Sequence, residues 1–336
     1  MERSGNHCEM RIKRFAYWFT GLAIVVIIWK LCLIESSVDN LQSIRKILDF
    51  HKDQLELTQQ QLVFLENLAK KKSAGGLPTI YAVTPTYWRH VQKAELTRIS
   101  QTLRLVPNVH WIVIEDSETK TDLVRNLIAE SGLVVTHLHA KTPPFEQLKD
   151  KKKELEAVTC GDAECLQDPR WKRHRGVEQR NAALKWLRSN LQVNKNNGIV
   201  YFMDDDNTYN VKVFEEMAKV KKVGVWPVGL VGGLNAETPI LDEKSGKVKG
   251  YKSGWKADRP FAIDMAGFAI NLDLILKSEA SFSYKMEKGY QESEFLSYFI
   301  KKEELEPLAD NCTKVYVWHT RTEKPVVNGV VPGLEV

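Results

Sequence analysis

The sequence predicts an α/β fold with a mostly parallel central sheet, in a domain that follows a membrane anchor and a helical stem. Three observations support this prediction. An apolar run of membrane-spanning length lies near the amino terminus, leucines recur every seven residues after it, and β-rich and helical segments alternate from residue 77 onwards. Hydrophobic residues make up 43% of the 336 residues and charged residues 27%, a composition that supports a packed core and excludes wholesale disorder.

Charge and cysteine content exclude two other classes of protein. The 48 basic and 43 acidic residues leave a net charge of +5, which is too small and too dispersed for a nucleic-acid-binding protein. Five cysteines without paired C-x-x-C spacing fit neither a disulfide-built scaffold nor a structural zinc site. We therefore expect a globular protein with no nucleic acid partner.

Residues 15–34 are predicted to form a transmembrane signal-anchor. The run from Phe15 to Ile34 contains Thr20 and Lys30 as its polar members, and at about 1.5 Å per residue a helix of this length spans the roughly 30 Å of a bilayer core. A cleaved signal peptide is the alternative, but no small-x-small cleavage site follows the run. Basic residues precede the anchor and acidic residues follow it, which predicts a single-pass type II protein with a cytoplasmic tail of residues 1–14.

Residues 35–76 are predicted to form a stem. Leu41, Leu48, Leu55 and Leu62 recur at intervals of seven, the spacing of a short parallel coiled coil that would make a homodimer. A single solvated helix is the alternative. The segment from Lys70 to Gly76 is typical of a flexible linker, so residues 77–336 are expected to form the catalytic or binding domain outside the cytosol.

Strands and helices alternate within residues 77–336. Apolar, β-rich runs predict strands at 79–83, 109–114, 133–137, 198–203 and 314–318, and helical spacing predicts helices at 90–105, 121–130, 176–187 and 293–301. This order is typical of a parallel sheet covered by helices on both faces, in which ligands bind beyond the carboxyl ends of the strands. Polar residues follow three of the strands, at Thr84–Tyr87, Glu115–Asp116 and Asp204–Asp206.

Three consecutive carboxylates, Asp204, Asp205 and Asp206, follow the strand at 198–203. Adjacent carboxylates repel one another, and burial raises the cost of ionising them. A hard divalent cation would relieve both problems and prefers oxygen ligands. On an extended chain Asp204 and Asp206 would point one way and Asp205 the other. The alternative is a strand–helix turn, in which Asp206 or Asn207 caps a helix that starts near Tyr209.

Cationic side chains elsewhere in the sequence fit an anionic ligand such as a nucleotide diphosphate. Arg175 and Arg180 lie near the predicted start of a helix, whose dipole favours anions. His319 and Arg321 follow the strand at 314–318. Taken singly, each of these residues is more often a solvated surface side chain.

Long stretches of the sequence resemble the β1,3-glucuronyltransferases of the Golgi over nearly all of residues 77–325. The similar stretches are "LPTIYAVTPTY" (77–87), "VQKAELTRISQTL" (91–103), "RGVEQRNAALKWLR" (175–188), "DDDNTY" (204–209), "VWPVGLVGGL" (225–234), "RPFAIDMAGFAINL" (259–272), "GYQES" (289–293) and "NCTKVYVWHTRTEKP" (311–325). The predicted anchor and stem fit the same family, whose members are type II membrane proteins.

The resemblance implies a glycosyltransferase A-type fold, location in the Golgi membrane and Mn²⁺ as cofactor. It implies an inverting transfer of glucuronic acid from UDP-glucuronic acid to the 3-hydroxyl of a galactose-terminated glycan on protein. It also implies that Glu292 is the catalytic base and that Asp206 is the metal ligand. The donor-binding residues that it implies are Pro85, Thr86, Tyr87, Asp116, Arg175, Arg180, Asp204, Asp205, Asp206, His319, Thr320 and Arg321, and the acceptor-binding residues are Glu237, Trp255, Arg259 and Asp264.

The acceptor stays open between two glycans. One is the galactose–galactose–xylose linker of proteoglycan core proteins, which we favour, and the other is the N-acetyllactosamine terminus of glycoproteins or glycolipids. A membrane-tethered carbohydrate-binding protein without catalytic activity is a third reading. The presence of both Asp206 and Glu292 argues against that third reading.

Individual residues also leave alternatives open. Without the resemblance, Glu292 is more often a carboxylate near a helix N-terminus than a catalytic residue, and Glu294 beside it is a candidate to raise its pKa. Asn311 lies in the one Asn-x-Ser/Thr sequon and is a candidate for glycosylation. Cys160 and Cys165 form a disulfide or remain free thiols.

Overall fold

The computed structural model describes residues 41–42, 44–56, 58–59, 76–143, 174–285, 289–323, 325–327 and 329. The chain forms two compact units, residues 1–62 and residues 63–336. Within the described ranges, no helix has the length and apolarity needed to cross a membrane. The predicted anchor at 15–34 and the pair Cys160 and Cys165 lie outside those ranges and stay predictions.

The first unit is helical wherever it is described, at residues 41–42, 44–56 and 58–59. Leu41, Leu48 and Leu55 are 66%, 62% and 61% exposed, so three of the four leucines that define the predicted seam face solvent in a single chain. Leu62, the fourth, lies outside the described residues. The coiled coil stays a prediction.

The second unit alternates strands and helices. In chain order, its described part contains β1 (Thr79–Thr86), α1 (Gln92–Leu103), β2 (Val109–Glu115), α2 (Asp122–Ser131), β3 (Val135–His139), α3 (Val177–Asn190), β4 (Gly198–Phe202), β5 (Thr208–Tyr209), α4 (Lys212–Met217), β6 (Val223–Val225), β7 (Val228–Gly229), β8 (Ala236–Leu241), β9 (Val248–Lys252), β10 (Phe268–Asn271), α5 (Leu272–Leu276), α6 (Gln291–Ser297), β11 (Glu306–Pro307) and β12 (Val317–Trp318). Short 3₁₀ helices lie at Met265–Gly267 and Lys302–Glu304.

Seven strands form a mostly parallel sheet in the order β11-β6-β10-β4-β1-β2-β3. The pairs β1–β2, β1–β4, β2–β3 and β6–β11 are parallel, and β10 runs antiparallel to both of its neighbours. The predicted α/β class and mostly parallel sheet are therefore confirmed. A second sheet, β5-β12-β7-β8-β9, was not predicted, because β5, β7 and β12 are two residues long and carry no readable periodicity.

Three predicted element boundaries are wrong. β1 runs on through Pro85, and because β4 pairs with β1 only as far as Val83, Pro85 has a strand partner on one side alone, where proline is tolerated. The helix that the strand–helix alternative starts near Tyr209 begins three residues later, since Tyr209 ends β5 and α4 begins at Lys212. The strand expected at 314–318 is reduced to Val317–Trp318.

Helices cover both faces of the main sheet, as the alternation of β1 requires. Tyr81 and Val83 of β1 join an apolar cluster with α3, α5 and α6. Ile80 and Ala82 point to the opposite face and join a cluster with α1 and α2. Burial of this apolar surface, at roughly 25 cal/mol per Å², fixes the sheet and so fixes the edge at which the strands end.

Residues Ala309 to Cys312 form a left-handed turn, with φ between 53° and 60° at all four residues. Non-glycine residues adopt this conformation at a cost, and neighbouring elements hold it in place. The N–H of Ala309 donates to Glu216 of α4 at 3.1 Å, and the Cys312 thiol donates to the carbonyl of Val225 in β6 at 3.6 Å. Burial raises the pKa of this thiol to about 12.

Candidate active site

The three aspartates follow β4 at the carboxyl edge of the main sheet, and Asp205 and Asp206 lie in a turn. Asp204 accepts a hydrogen bond from the guanidinium of Arg180 at 2.7 Å. Asp205 pairs with a different cation, Arg89, also at 2.7 Å. The sequence analysis expected an extended chain to point Asp204 and Asp205 in opposite directions. The chain turns here instead, and the two carboxylates nonetheless have different partners.

Asp206 pairs with no cation among the described residues. Burial and the charges of Asp204 and Asp205 raise its pKa to about 6. A carboxylate whose ionised form is disfavoured by its neighbours is a suitable ligand for a divalent cation. Within the described part of the chain, no three His, Cys, Asp or Glu side chains are grouped so that they could hold a metal ion together.

Long-range hydrogen bonds clamp the turn that carries the aspartates. Arg98 of α1 donates to the backbone carbonyls of Asp205, Asp206 and Asn207 at 3.5, 3.0 and 3.4 Å. The hydroxyl of Thr320 donates to the carbonyl of Asp206 at 2.6 Å. Sequence reasoning found neither Arg89 nor Arg98, because both lie more than a hundred residues from their partners in the chain and α1 gave only a helical pattern.

The residues predicted to bind a nucleobase meet at the ends of β1 and β2. The N–H of Asp116 donates to the carbonyl of Thr86 at 2.8 Å, which brings Asp116 beside Pro85–Tyr87. Tyr87 is 46% exposed, and the guanidinium of Arg89 lies over its ring, 4.6 Å from the ring centroid. Both carboxylate oxygens of Asp116 accept from Thr142, through its N–H at 2.8 Å and its hydroxyl at 2.7 Å.

Arg180 is held from three sides in the second turn of α3. Besides its bond to Asp204, it donates to the carbonyl of Arg175 at 2.8 Å and lies over the ring of Phe282 at 5.8 Å. Phe282 stacks on Phe295 of α6 with ring centroids 4.2 Å apart. The exposed side chain of Arg175 itself reaches no partner in the described contacts, so its predicted role stays a prediction.

Glu292 lies in the first turn of α6 and is 17% exposed. Burial and the negative charge of Asp264 raise its pKa to about 7. The carboxylate responsible is thus Asp264 and not, as the sequence suggested, Glu294. Arg259 lies 3.8 Å from Glu292 and opposes the shift. A carboxylate with a pKa near neutrality is a competent general base.

Asp264 forms an ion pair with His319, with 3.2 Å between Oδ2 and Nδ1. The bond to Asp264 raises the pKa of His319. Burial alone would raise the pKa of Asp264, but His319 and the N–H of Ala266 hold it below its usual value. The raised pKa favours the protonated form of His319, which suits an anionic ligand.

The predicted acceptor residues line a cavity of about 760 Å³ beside Glu292. Its walls contain residues from both predicted sets, namely Glu237, Trp255, Arg259, Asp264, His319, Thr320 and Arg321. Asp204, Asp205 and Asp206 lie outside this lining and connect to it through Thr320. Asn311 is exposed in the left-handed turn and is not part of the cavity.

Glu237 is almost fully buried, with 4% of its surface exposed. Its Oε1 accepts from the Ser253 hydroxyl at 2.6 Å and from the N–H of Gly254 at 2.9 Å. Glu237 therefore joins β8 to the segment that carries Trp255, in addition to lining the cavity. Sequence reasoning also missed the wall formed by Leu230–Gly233, whose Gly-Gly pair is its one visible signal.

A mostly parallel sheet, with paired carboxylates and cations gathered where its strands end, defines an α/β enzyme with a site for an anionic ligand. The comparison with known families is then decisive. A match to glycosyltransferase family 43 covers residues 99–323, and this chain belongs to that family.

Several curated proteins are similar over most of their length. The chain is 51% identical over 253 residues to galactosylgalactosylxylosylprotein 3-beta-glucuronosyltransferase I of Drosophila melanogaster, covering 74% of this chain and 77% of that protein. It is 52% identical to galactosylgalactosylxylosylprotein 3-beta-glucuronosyltransferase 1 of Homo sapiens (75% and 71% covered) and 49% identical to galactosylgalactosylxylosylprotein 3-beta-glucuronosyltransferase 3 of Mus musculus (74% and 72% covered).

Likeness to solved structures is more distant. The crystal structure of S. aureus TarS 1–349 in complex with UDP-GlcNAc shares 15% identity and a TM-score of 0.44, over 73% of this chain and 59% of that one. This likeness is too weak to bear on the site.

Proposed function

We propose that this chain is an inverting β1,3-glucuronosyltransferase that moves glucuronic acid from UDP-glucuronic acid to the terminal galactose of the galactose–galactose–xylose linker on proteoglycan core proteins. The observation that carries the proposal is 49 to 52% identity, over about three quarters of the chain, to enzymes named for that reaction. The buried Glu292 at the cavity wall supplies the chemistry that the reaction needs.

The transfer needs one base and one leaving group. Glu292, ionised above its raised pKa, accepts the proton of the galactose 3-hydroxyl while that oxygen attacks C1 of the glucuronic acid. The bond between C1 and the diphosphate oxygen breaks on the opposite face, so the configuration at C1 inverts and UDP leaves. No covalent intermediate on the protein is required.

Cationic side chains stabilise the charge that the departing UDP gains. Asp264 raises the pKa of His319 and so favours its protonated form, and Arg321 lines the same cavity. Preorganised charges of this kind lower the barrier because they need no rearrangement as the reaction proceeds. On the donor side, Tyr87 and Asp116 contact uracil, Asp205 contacts the ribose, and Asp204 with Arg180 holds the sugar.

Asp206 is the residue that would hold Mn²⁺. Its carboxylate lies beside two others, pairs with no described cation and has a raised pKa, which fits a divalent ion. When bound, the metal supplies positive charge that stabilises the leaving diphosphate. The protein's own contribution is to fix the turn through Arg98 and Thr320.

The remaining proposals concern the setting of the enzyme. The apolar run at 15–34 and its flanking charges support a single-pass type II protein of the Golgi membrane. The leucine repeat supports a homodimer, and the exposed Asn311 supports N-linked glycosylation.

The test uses the full-length protein, purified in detergent. Two acceptors are supplied in parallel assays, each with UDP-glucuronic acid and Mn²⁺. Galactose-β1,3-galactose is expected to be the better acceptor by kcat/KM. A clear preference for N-acetyllactosamine would move the enzyme to the lactosamine class. Binding of either disaccharide without any transfer would support the non-catalytic carbohydrate-binding reading instead.

A further inference from the structure

Gly289 lies against the indole ring of Trp255, nearest to its Nε1 atom. It adopts φ +83°, and a Cβ atom built on it would lie 2.5 Å from Nε1 of Trp255 and 3.4 Å from Cδ1. Side-chain atoms do not approach a Cβ this closely, so the ring occupies the space that any other residue at 289 would fill. Trp255 is 47% exposed and faces the cavity.

The carbonyl of the same glycine is bound from the other side. Arg259 donates from Nη1 to the Gly289 carbonyl at 2.5 Å, and the same nitrogen is 3.8 Å from Glu292 Oε2. Arg259 is 6% exposed, so this contact is shielded from water. One peptide unit therefore links the aromatic ring to the arginine beside the base.

The backbone of Trp255 is fixed independently of its ring. The N–H of Trp255 donates to the Ser253 hydroxyl at 3.2 Å, and that hydroxyl lies 2.6 Å from Glu237. The neighbouring N–H of Gly254 also donates to Glu237. A side chain at 289 would consequently turn the indole ring away and leave the segment that carries it in place.

We propose that Gly289 is a positioning residue for the acceptor: its bare Cα sets the Trp255 ring as a platform for the apolar C–H face of the acceptor galactose, at a fixed height relative to Glu292. The inference rests on the proposed function. An aromatic face carries partial negative charge and attracts the weakly positive C–H edge of a sugar. Misplacing that platform moves the galactose 3-hydroxyl out of line with the base.

The test is Gly289→Ala in the full-length protein. The KM for galactose-β1,3-galactose is expected to rise about tenfold or more because the displaced ring no longer contacts the sugar. The kcat is expected to fall as well, by up to about 10²-fold, because the 3-hydroxyl is misplaced relative to Glu292. The KM for UDP-glucuronic acid should change by less than a factor of about two, because the donor residues are untouched. A rise in both KM values together would overturn the proposal.

Gly246→Ala is the matched control for backbone strain. Gly246 has φ +67° and no atom within 4 Å of a built Cβ, so alanine there costs conformational energy without meeting a ring. Its acceptor KM should stay at the parental value. An equal effect of the two alanines would mean that Gly289 matters only for its backbone, and the proposal would fail.

A double variant isolates the ring. Trp255→Ala alone should raise the acceptor KM, and adding Gly289→Ala should then change little, because there is no longer a ring to displace. Full additivity would contradict the proposal. Calorimetric binding of galactose-β1,3-galactose repeats the comparison without turnover, so that failure of the proposed glucuronyl transfer is distinguished from failure of this inference.

Discussion

The proposed donor residues and the proposed acceptor residues are held in the fold in different ways. Among the proposed donor residues, Asp204 and Asp205 follow β4 and pair with Arg180 of α3 and with Arg89, which precedes α1. On the acceptor side, loops carry the contacts, and glycines and backbone hydrogen bonds fix them. Strand ends are set by the buried sheet, whereas the loops depend on exact packing between segments far apart in the chain.

Both groups of residues nonetheless depend on a glycine with positive φ, Gly176 in one and Gly289 in the other. A Cβ on Gly176, at φ +71°, would lie 2.5 Å from Nη1 of Arg180, and one on Gly289 would lie 2.5 Å from Trp255. Each glycine makes room for a side chain that faces the site. The difference lies in what else holds each side chain. Arg180 also forms an ion pair with Asp204, whereas the Trp255 ring is positioned by packing against Gly289. Substitutions on the two sides should therefore fail in different kinetic constants.

The largest effect is expected at the base between the two sides. Glu292→Gln is nearly isosteric, so the fold and UDP binding should survive while kcat falls by a factor on the order of 10²–10⁴. Glu294→Gln, two residues further along α6, is the control and should retain parental kcat. Steady-state kinetics with both substrates measure this, and a parental rate for Glu292→Gln would make that residue structural only.

The second effect belongs to the donor side alone. Asp206→Ala should lower kcat by a factor on the order of 10²–10³, the typical cost of losing one charge-stabilising group. Chelation of the parent enzyme should abolish activity, and Mn²⁺ should restore it. Electron paramagnetic resonance of free Mn²⁺, in the presence of UDP, reports binding without turnover. Full activity in chelator would show that the enzyme needs no metal. Unchanged Mn²⁺ binding by the variant would show that Asp206 is not the metal ligand.

The third prediction concerns the cation that binds the carboxylate of the donor glucuronic acid. Arg180→Lys keeps the charge but loses the fork that reaches Asp204, at a cost of about 1.5–3 kcal/mol for a charged hydrogen bond. Discrimination between UDP-glucuronic acid and UDP-glucose should shrink with the rate. The measurement is the ratio of the two kcat/KM values.

Arg188→Lys controls for the loss of an arginine from α3. Arg188 donates to the carbonyls of Ile275 and Ala280 and makes no contact with the aspartates, so its ratio should equal that of the parent. If Arg180→Lys leaves the ratio unchanged as well, another residue recognises the carboxylate.

The smallest effect is the dependence on pH. Because burial and Asp264 raise the pKa of Glu292 to about 7, kcat/KM should fall about tenfold per pH unit below that value as the base is protonated. The same shift makes the ionised form costly in the folded state. The protonated carboxyl of Glu292 therefore stabilises the fold. This stabilisation is fully present below pH 4.5, the ordinary pKa of a glutamate, and is lost as the pH rises through about 7.

Glu292→Gln tests both parts of this prediction. Its residual activity should lack the acid limb, and its thermal stability should fall less than that of the parent between those two pH values. An acid limb that persists in the variant would assign the titration to another group.

The main sheet could be predicted because β2 and β4 are apolar runs that hydrophobicity alone identifies. The helix start placed near Tyr209 was wrong by three residues because residues 208–209 pair with β12, a partner more than a hundred residues away. Glu292 was indistinguishable from an ordinary helix carboxylate until the fold placed Asp264 and Arg259 beside it. Gly289 gave no signal at all, since its role depends on where one ring lies.

The left-handed turn at Ala309–Cys312 bears on the order of events during biosynthesis. An isolated segment of non-glycine residues does not hold this conformation, so the turn closes only after Glu216 and Val225 are in place to bind it. Until then neither contact holds Asn311 and Cys312 in the left-handed conformation. We expect the proposed sugar attachment at Asn311 to precede closure of the turn, and the burial of Cys312 to be among the last steps of folding.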